Sequence, residues 1–184
     1  MHRVVITGGP GAGKTTLLNA LAAMGYPIVA ESARSIIAER LSRGESPRPS
    51  PLLFAQETLR RDVEKYASQP KTSDWVFFDR GAIEAIGMLH SVSPLTQSEL
   101  TAMLAAYPFH SPVFILPPWE DIYTNDAERD QSFADAVDVH ARVVDWYGFC
   151  GCALHEVPRI SAKERAIHVL QVLSDASRIN RVRA

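Results

Sequence analysis

The sequence predicts an α/β protein: a parallel five-stranded sheet with helices packed on both sides, folded as one domain over residues 1–184. Two observations carry this. Short apolar runs alternate with stretches of helical periodicity along the whole chain, which is the pattern of strands joined by crossover helices. The first run, Arg3-Val4-Val5-Ile6-Thr7, passes through a glycine-rich segment directly into the helical stretch Thr16-Leu17-Leu18-Asn19-Ala20-Leu21-Ala22. A chain of 184 residues is long enough for a single domain with a proper core, and it contains no internal repeat or low-complexity segment.

Strands are expected at Val4–Thr7, Pro27–Ala30, Trp75–Asp79, Val113–Leu116 and Leu154–Val157. The first helix should run from Gly13 to Met24 and stop at Gly25, a natural C-cap. A second runs from Ser32 to about Ser42, before Gly44. Ser50 followed by Pro51 is an N-cap with proline at the first helical position, opening a helix to about Ala67. The stretch Ser46-Pro47-Arg48-Pro49 before it reads as a loop. Ala82 to about His90 is a shorter helix. Thr96 with Glu99 forms a capping box that opens another. Ser132 starts a helix to about Tyr147, and the capping box Ser161/Glu164 opens the last, to about Ser174.

Composition excludes several classes of function. The formal net charge is −2, which supplies no electrostatic argument for nucleic acid or an anionic membrane. Arg178, Arg181 and Arg183 form a basic C-terminal cluster that reads as a solvated, frayed tail. Cys150 and Cys152 match neither a disulfide framework nor a zinc site and are read as ordinary packed thiols. The six histidines have no metal-ligand spacing. The N-terminus enters the first strand at once, without a signal peptide, and no apolar run is long enough for a bilayer. A reducing cytoplasm is the expected setting.

The chemistry starts at Gly8-Gly9-Pro10-Gly11-Ala12-Gly13-Lys14-Thr15-Thr16, a full match to G-x-x-x-x-G-K-[ST] between a strand and a helix. Glycines let successive backbone N–H groups turn inward onto phosphate oxygens. The helix N-terminus adds unpaired donors and the positive end of its dipole. Lys14 is expected to reach the β- and γ-phosphates, and the Thr15 hydroxyl to ligand Mg²⁺. Five strands with such a loop after the first suggest the P-loop nucleoside-triphosphate fold. By analogy with that fold, and within the right-handed crossover rule, the strand order is 2-3-1-4-5.

Ligands of open α/β sheets gather at the carboxyl ends of the strands. Asp79 ends the third strand, where it would complete the magnesium site; the alternative is a cap for the helix from Gly81 onward. Arg80 follows it and could clamp a phosphate, or be an ordinary surface arginine. Glu31 ends the second strand, placed either to act as a general base toward an acceptor hydroxyl or to cap the second helix. Arg34 lies one turn further on and could pair with Glu31 or contact an acceptor phosphate.

Residues 117–131 form a long, charged, weakly periodic connection that reads as a mobile lid. Arg129 is its only basic residue and the candidate for the developing charge; a salt-bridged turn with Glu128 or Asp126 is the alternative. Arg43, Arg48, Arg60 and Arg61 read more readily as a solvated helix face than as an acceptor pocket. No Asn-Lys-x-Asp signature supports guanine recognition, and the capping box accounts for Ser161 in Ser161-Ala162-Lys163. Asp79 is followed by arginine instead of glutamate, so the acid pair of many ATP-driven motors is missing there.

Taken in order, the phosphate loop, Ala30-Glu31-Ser32-Ala33-Arg34, Phe77-Phe78-Asp79-Arg80-Gly81, Pro118-Trp119-Glu120-Asp121 and Glu128-Arg129-Asp130 resemble a family. It is the small predicted-ATPase family allied to the ribosylnicotinamide kinase domain of the bacterial NAD regulator. More distantly, the set resembles deoxynucleoside and thymidylate kinases. The resemblance runs from about Arg3 to Leu173. It implies a kinase-like core, Mg²⁺-ATP as donor, Glu31 as candidate base, Asp79 and Arg80 at metal and phosphates, and Arg129 in the lid. It matches no acceptor-pocket residue between Ser42 and Tyr66.

The expected activity is therefore transfer of the γ-phosphate of ATP to a small acceptor: a nucleoside, a nucleotide or a related metabolite. The alternative is a nucleotide-dependent switch or accessory ATPase that acts on a protein partner.

Overall fold

The computed structural model describes residues 2–69, 75–123 and 132–183, with backbone alone for 177–183. Strands β1 (His2–Gly8), β2 (Ile28–Val29), β3 (Trp75–Asp79), β4 (Val113–Leu116) and β5 (Leu154–Glu156) form one sheet in the order β2-β3-β1-β4-β5. Every pairing is parallel. Helices α1 (Lys14–Ala23), α2 (Ser32–Ser42), α3 (Pro51–Ser68), α4 (Ala82–Val92), α5 (Gln97–Ala106), α6 (Phe133–Phe149) and α7 (Ala162–Arg183) connect and follow the strands.

The central strand shows why both helical layers are needed. Val4, Val5 and Ile6 are all fully buried, because a parallel strand covered on both faces has no polar side. Val4 and Ile6 pack with Leu17 and Leu21 of α1 and Val169 and Leu173 of α7. Val5 points the other way, toward Ile83 of α4 and Tyr147 of α6. In β3, Phe77 joins the first layer, while Val76 and Phe78 meet Tyr66 of α3.

Local signals set most boundaries. The Ser50 hydroxyl accepts from Leu53 N with Pro51 in the first turn. Capping boxes are formed at Thr96/Glu99, Ser132/Asp135 and Ser161/Glu164. Two expectations are corrected. The second strand is two residues long instead of four: Pro27 has no N–H, although its carbonyl still accepts from Phe77 N at 3.0 Å. The last helix continues nine residues past Ser174, to Arg183, so the C-terminal arginines belong to helical backbone and not to a frayed tail. Cys150 and Cys152 are free thiols packed at the edge of the core, as expected. Among the described residues no helix is long and apolar enough to cross a membrane.

Leu21 is fully buried where α1, α7 and the sheet meet. Leu21→Ala should cost about 3 kcal/mol of unfolding free energy, by loss of transfer energy plus a cavity, read as a lowered urea midpoint with unchanged slope.

Candidate functional site

Helix α1 begins without a capping side chain and without an acidic residue in its first turn. Its N–H groups and positive dipole end are therefore left for an external anion. Gly13, at the N-cap, has φ +86°, and a Cβ there would come 2.9 Å from Nη1 of Arg165. Only glycine can both adopt that backbone and admit the guanidinium.

Lys14 is 7 % exposed, and its Nζ donates to the carbonyls of Gly9 at 2.9 Å and Gly8 at 3.2 Å. Burial, with the Arg80 charge adding to it, pushes the lysine down to about 8. Asp79 stands close by, and burial pushes its carboxyl up to about 6. Asp79 Oδ1 is buried with no hydrogen-bond partner, and the cap of α4 is Gly81, which excludes the capping role for Asp79. Thr15 and Asp79 line one cavity of about 420 Å³ together with Lys14. A hydroxyl and an unpartnered carboxylate oxygen beside a phosphate cradle are the hard donors Mg²⁺ prefers, so the residues fit that ion. Among the described residues no cluster of three or more His, Cys, Asp or Glu side chains could hold a metal without the phosphates.

The far wall of this cavity comes from the chain after β4 and β5. Arg165 of α7 is 5 % exposed; its Nε donates to Ile160 O at 2.7 Å and its Nη1 to Ala12 O at 3.3 Å. Its guanidinium lies 4.8 Å from the Trp119 ring centre. Trp119, Ile122 and Ile160 line the same cavity and supply its large apolar side chains. The Arg159 guanidinium donates to Pro118 O at 2.8 and 3.0 Å and ties the two connections together.

A second cavity, of about 470 Å³, lies between α2, α3, α4 and α6. Its polar end is organised by Arg80, the one non-glycine described residue with positive φ, at 65°. The Arg80 Nη2 donates to Gly8 O at 2.9 Å, Nε lies 3.3 Å from Glu31, and Nη1 is ion-paired with Glu84. Against the cost of burial, Glu84 and Glu31 hold this guanidinium firmly charged. Glu84 also accepts from Thr7 Oγ1 at 2.5 Å and from the fully buried Tyr147 hydroxyl at 3.0 Å.

Glu31 lines both cavities, and so stands at their junction. It occupies the N-cap position of α2 but makes no side-chain capping bond. Arg34 lines the first cavity, beside Lys14, and not the second. Arg80 lines the second, and its Nη2 donates to Gly8 O, the carbonyl to which Lys14 Nζ also donates, so its guanidinium stands against the back of the phosphate loop. Arg129 and the rest of residues 124–131 lie outside the described residues; the described start of the connection is a single 3₁₀ turn, Glu120–Ile122. Arg60 and Arg61 are taken up by Glu57, Glu64 and Glu39 on the outer surface, as a solvated face should be.

Sequence reasoning passes over Arg165, Glu84 and Asp62. Glu84 has a local signal, four residues after Arg80 at helical spacing. Arg165 has none, since its partner Ala12 is 153 residues away. Removing the Glu84 carboxylate strips Arg80, Thr7 and Tyr147 of a shared partner. Glu84→Ala should therefore lose about 3 kcal/mol in denaturant unfolding, and Glu84→Gln distinctly less.

The whole chain superposes on solved kinase structures. Deoxyadenosine kinase from M. mycoides, solved with bound dATP, aligns with a TM-score of 0.60 at 13 % identity, over 94 % of this chain and 99 % of that one. Thymidylate kinase from Ehrlichia chaffeensis gives 0.58 at 16 % identity, over 94 % and 100 %. Shikimate kinase from Acinetobacter baumannii, in complex with shikimate, gives 0.55 at 17 % identity, over 96 % and 94 %. At these identities the likeness is one of fold, the P-loop kinase fold with sheet order 2-3-1-4-5. No curated protein matches the sequence. A family model described as an AAA domain matches residues 3–165, most of the chain and every element that builds the two cavities, and the protein belongs to that family.

Proposed function

We propose that the protein is a Mg²⁺-dependent phosphotransferase that moves the γ-phosphate of ATP to the hydroxyl of a small acceptor. The observation that carries this reading is the placement of Glu31, a carboxylate lining both the phosphate-loop cavity and a second cavity large enough for a small molecule.

In this reading ATP lies in the first cavity. Its phosphates meet the loop from Gly8 to Thr16 and Lys14, and its base lies at the end of the cavity lined by Trp119, Ile122 and Ile160. Mg²⁺ bound at Thr15 and Asp79 would neutralise phosphate charge and draw the terminal phosphate into line. Arg34, on the same wall, faces the phosphate end. The acceptor occupies the second cavity, and Glu31 takes its hydroxyl proton as the new O–P bond forms and the bond from the γ-phosphorus to the bridging oxygen breaks, with ADP as the leaving group. Arg80 holds Glu31 in position through the 3.3 Å ion pair. Arg129, outside the described residues, keeps the role of a cation for the developing charge. Adenine is favoured by the absence of a guanine signature, and the cytoplasm by the chain's two free thiols.

The test is ADP release with Mg²⁺-ATP, alone and against nucleosides, nucleotides, nicotinamide riboside and shikimate, with mass spectrometry of the products. One acceptor should raise turnover and gain a single phosphate. ADP release that answers to no small molecule would replace this reading with the partner-dependent switch.

Two substitutions separate the roles. Lys14→Ala should lower kcat/KM for ATP by about 100-fold or more, because the cation meets charge that grows in the transition state. Glu31→Gln should lower kcat by roughly 100-fold while leaving the ATP dissociation constant within about twofold. A Glu31→Gln enzyme with the parent kcat would remove the base assignment.

A further inference from the structure

The second cavity carries information about its occupant beyond its volume, and the inference rests on the phosphotransferase reading above. We propose that it takes a ring-bearing alcohol that is uncharged or cationic, and that it discriminates against acceptors already carrying a phosphate.

Charge is the first argument. Among the described residues, Glu31, Asp62 and Glu84 face the cavity against two cations, Arg80 and Arg142. Arg80 has little left to offer a ligand, since its guanidinium is held by Glu84, Glu31 and Gly8 O on three sides. Arg142 is exposed on α6, where water and salt screen it. Asp62 is 9 % exposed on the inner side of α3, and its carboxylate meets whatever enters. A phosphomonoester there would sit beside like charge in a poorly screened space and find no unoccupied buried cation to repay its desolvation. In the nucleotide cavity the balance is reversed: Lys14, Arg34 and Arg165 face two carboxylates, Glu31 and Asp79.

The second argument is a buried hydroxyl–carboxylate pair, Ser32 with Asp62. Ser32 is 1 % exposed, lines this cavity, and its hydroxyl completes no hydrogen bond of ordinary geometry. It lies close enough to Asp62 to favour the ionised carboxyl, against the larger opposing effect of burial, which raises that group to about 6. A buried hydroxyl and carboxylate side by side, with acceptor capacity left over, are a ready contact for the O–H or N–H groups of a neutral ligand.

The third argument is the opposite wall. Met88, Val139, Val143 and Trp146 make it apolar. Trp146 Nε1 is spent on Ile83 O at 2.8 Å, so the indole offers ring surface and no donor. Gly87 is what lets the indole lie against α4, because a Cβ there would come 2.6 Å from Trp146 Cε2. An apolar wall with an aromatic ring suits a flat ring, and with carboxylates opposite it tolerates a positive one.

The experiment uses matched pairs: adenosine, cytidine, thymidine and nicotinamide riboside, each against its own 5′-monophosphate. ADP release and the mass of the product are followed with the intact protein. The expected result is that at least one unphosphorylated member gains a phosphate, with kcat/KM about tenfold or more above its monophosphate. In Asp62→Asn that ratio should fall by roughly tenfold, as one buried like charge is removed. The wild-type ratio needs no variant, so the inference stays exposed even if Asp62→Asn folds poorly. A monophosphate that is phosphorylated as well as its parent alcohol overturns the inference and leaves the phosphotransferase reading standing. ADP release indifferent to every compound removes both.

Discussion

Arg80 gathers segments that are far apart in the chain. It directly follows β3, reaches the carbonyl of Gly8 at the start of the phosphate loop, and pairs with Glu31 before α2 and Glu84 in α4. Through Glu84 the same knot takes in Thr7 of β1 and Tyr147 of α6. A buried guanidinium is costly unless it is paired and hydrogen-bonded on several sides, and each partner here answers that need. The left-handed backbone at Arg80 adds a cost of about 1–2 kcal/mol, which the ion pairs must overcome. The consequence is geometric: the floor of the second cavity, the back of the phosphate loop and the position of Glu31 are set by one group.

The two cavities meet at Glu31 and differ in their electrostatics. Cations gather around the first, with Lys14 desolvated enough to sit near 8 and the Asp79 carboxyl raised to about 6 beside it. Such groups have lost hydration and are poised to gain from a phosphate and a hard cation. The second cavity leans acidic at its polar end and apolar elsewhere. In the proposed phosphotransfer, a charged donor and a less charged acceptor would occupy separate compartments that touch at one carboxylate.

Much of this arrangement can be read from local chemistry. The phosphate loop is legible because its glycines, lysine and threonine are contiguous. The helix starts are legible because a cap and its partner sit three residues apart, as at Thr96/Glu99 and Ser161/Glu164. Glu31, Asp79 and Arg80 stand out because the ends of parallel strands are where such sheets place ligands. Arg165 does not stand out: its contacts to Ala12 and Trp119 exist only once α7 has docked. Asp62 looks like one more charge on a charged helix, and only the packing of α3 on α4 turns it inward while Arg60 and Arg61 stay outside.

By itself, then, the sequence determined the order of strands and helices, the parallel sheet, and the phosphate-binding machinery, because period, caps and a contiguous loop are short-range physics. The tertiary structure decided what the charges at the strand ends are paired with. It tied Arg80 to Gly8, Glu31 and Glu84, brought Arg165 against Ala12 and Trp119, and formed a second cavity between four helices. Those outcomes depend on which desolvated charges find partners across the fold, and sequence spacing does not encode that.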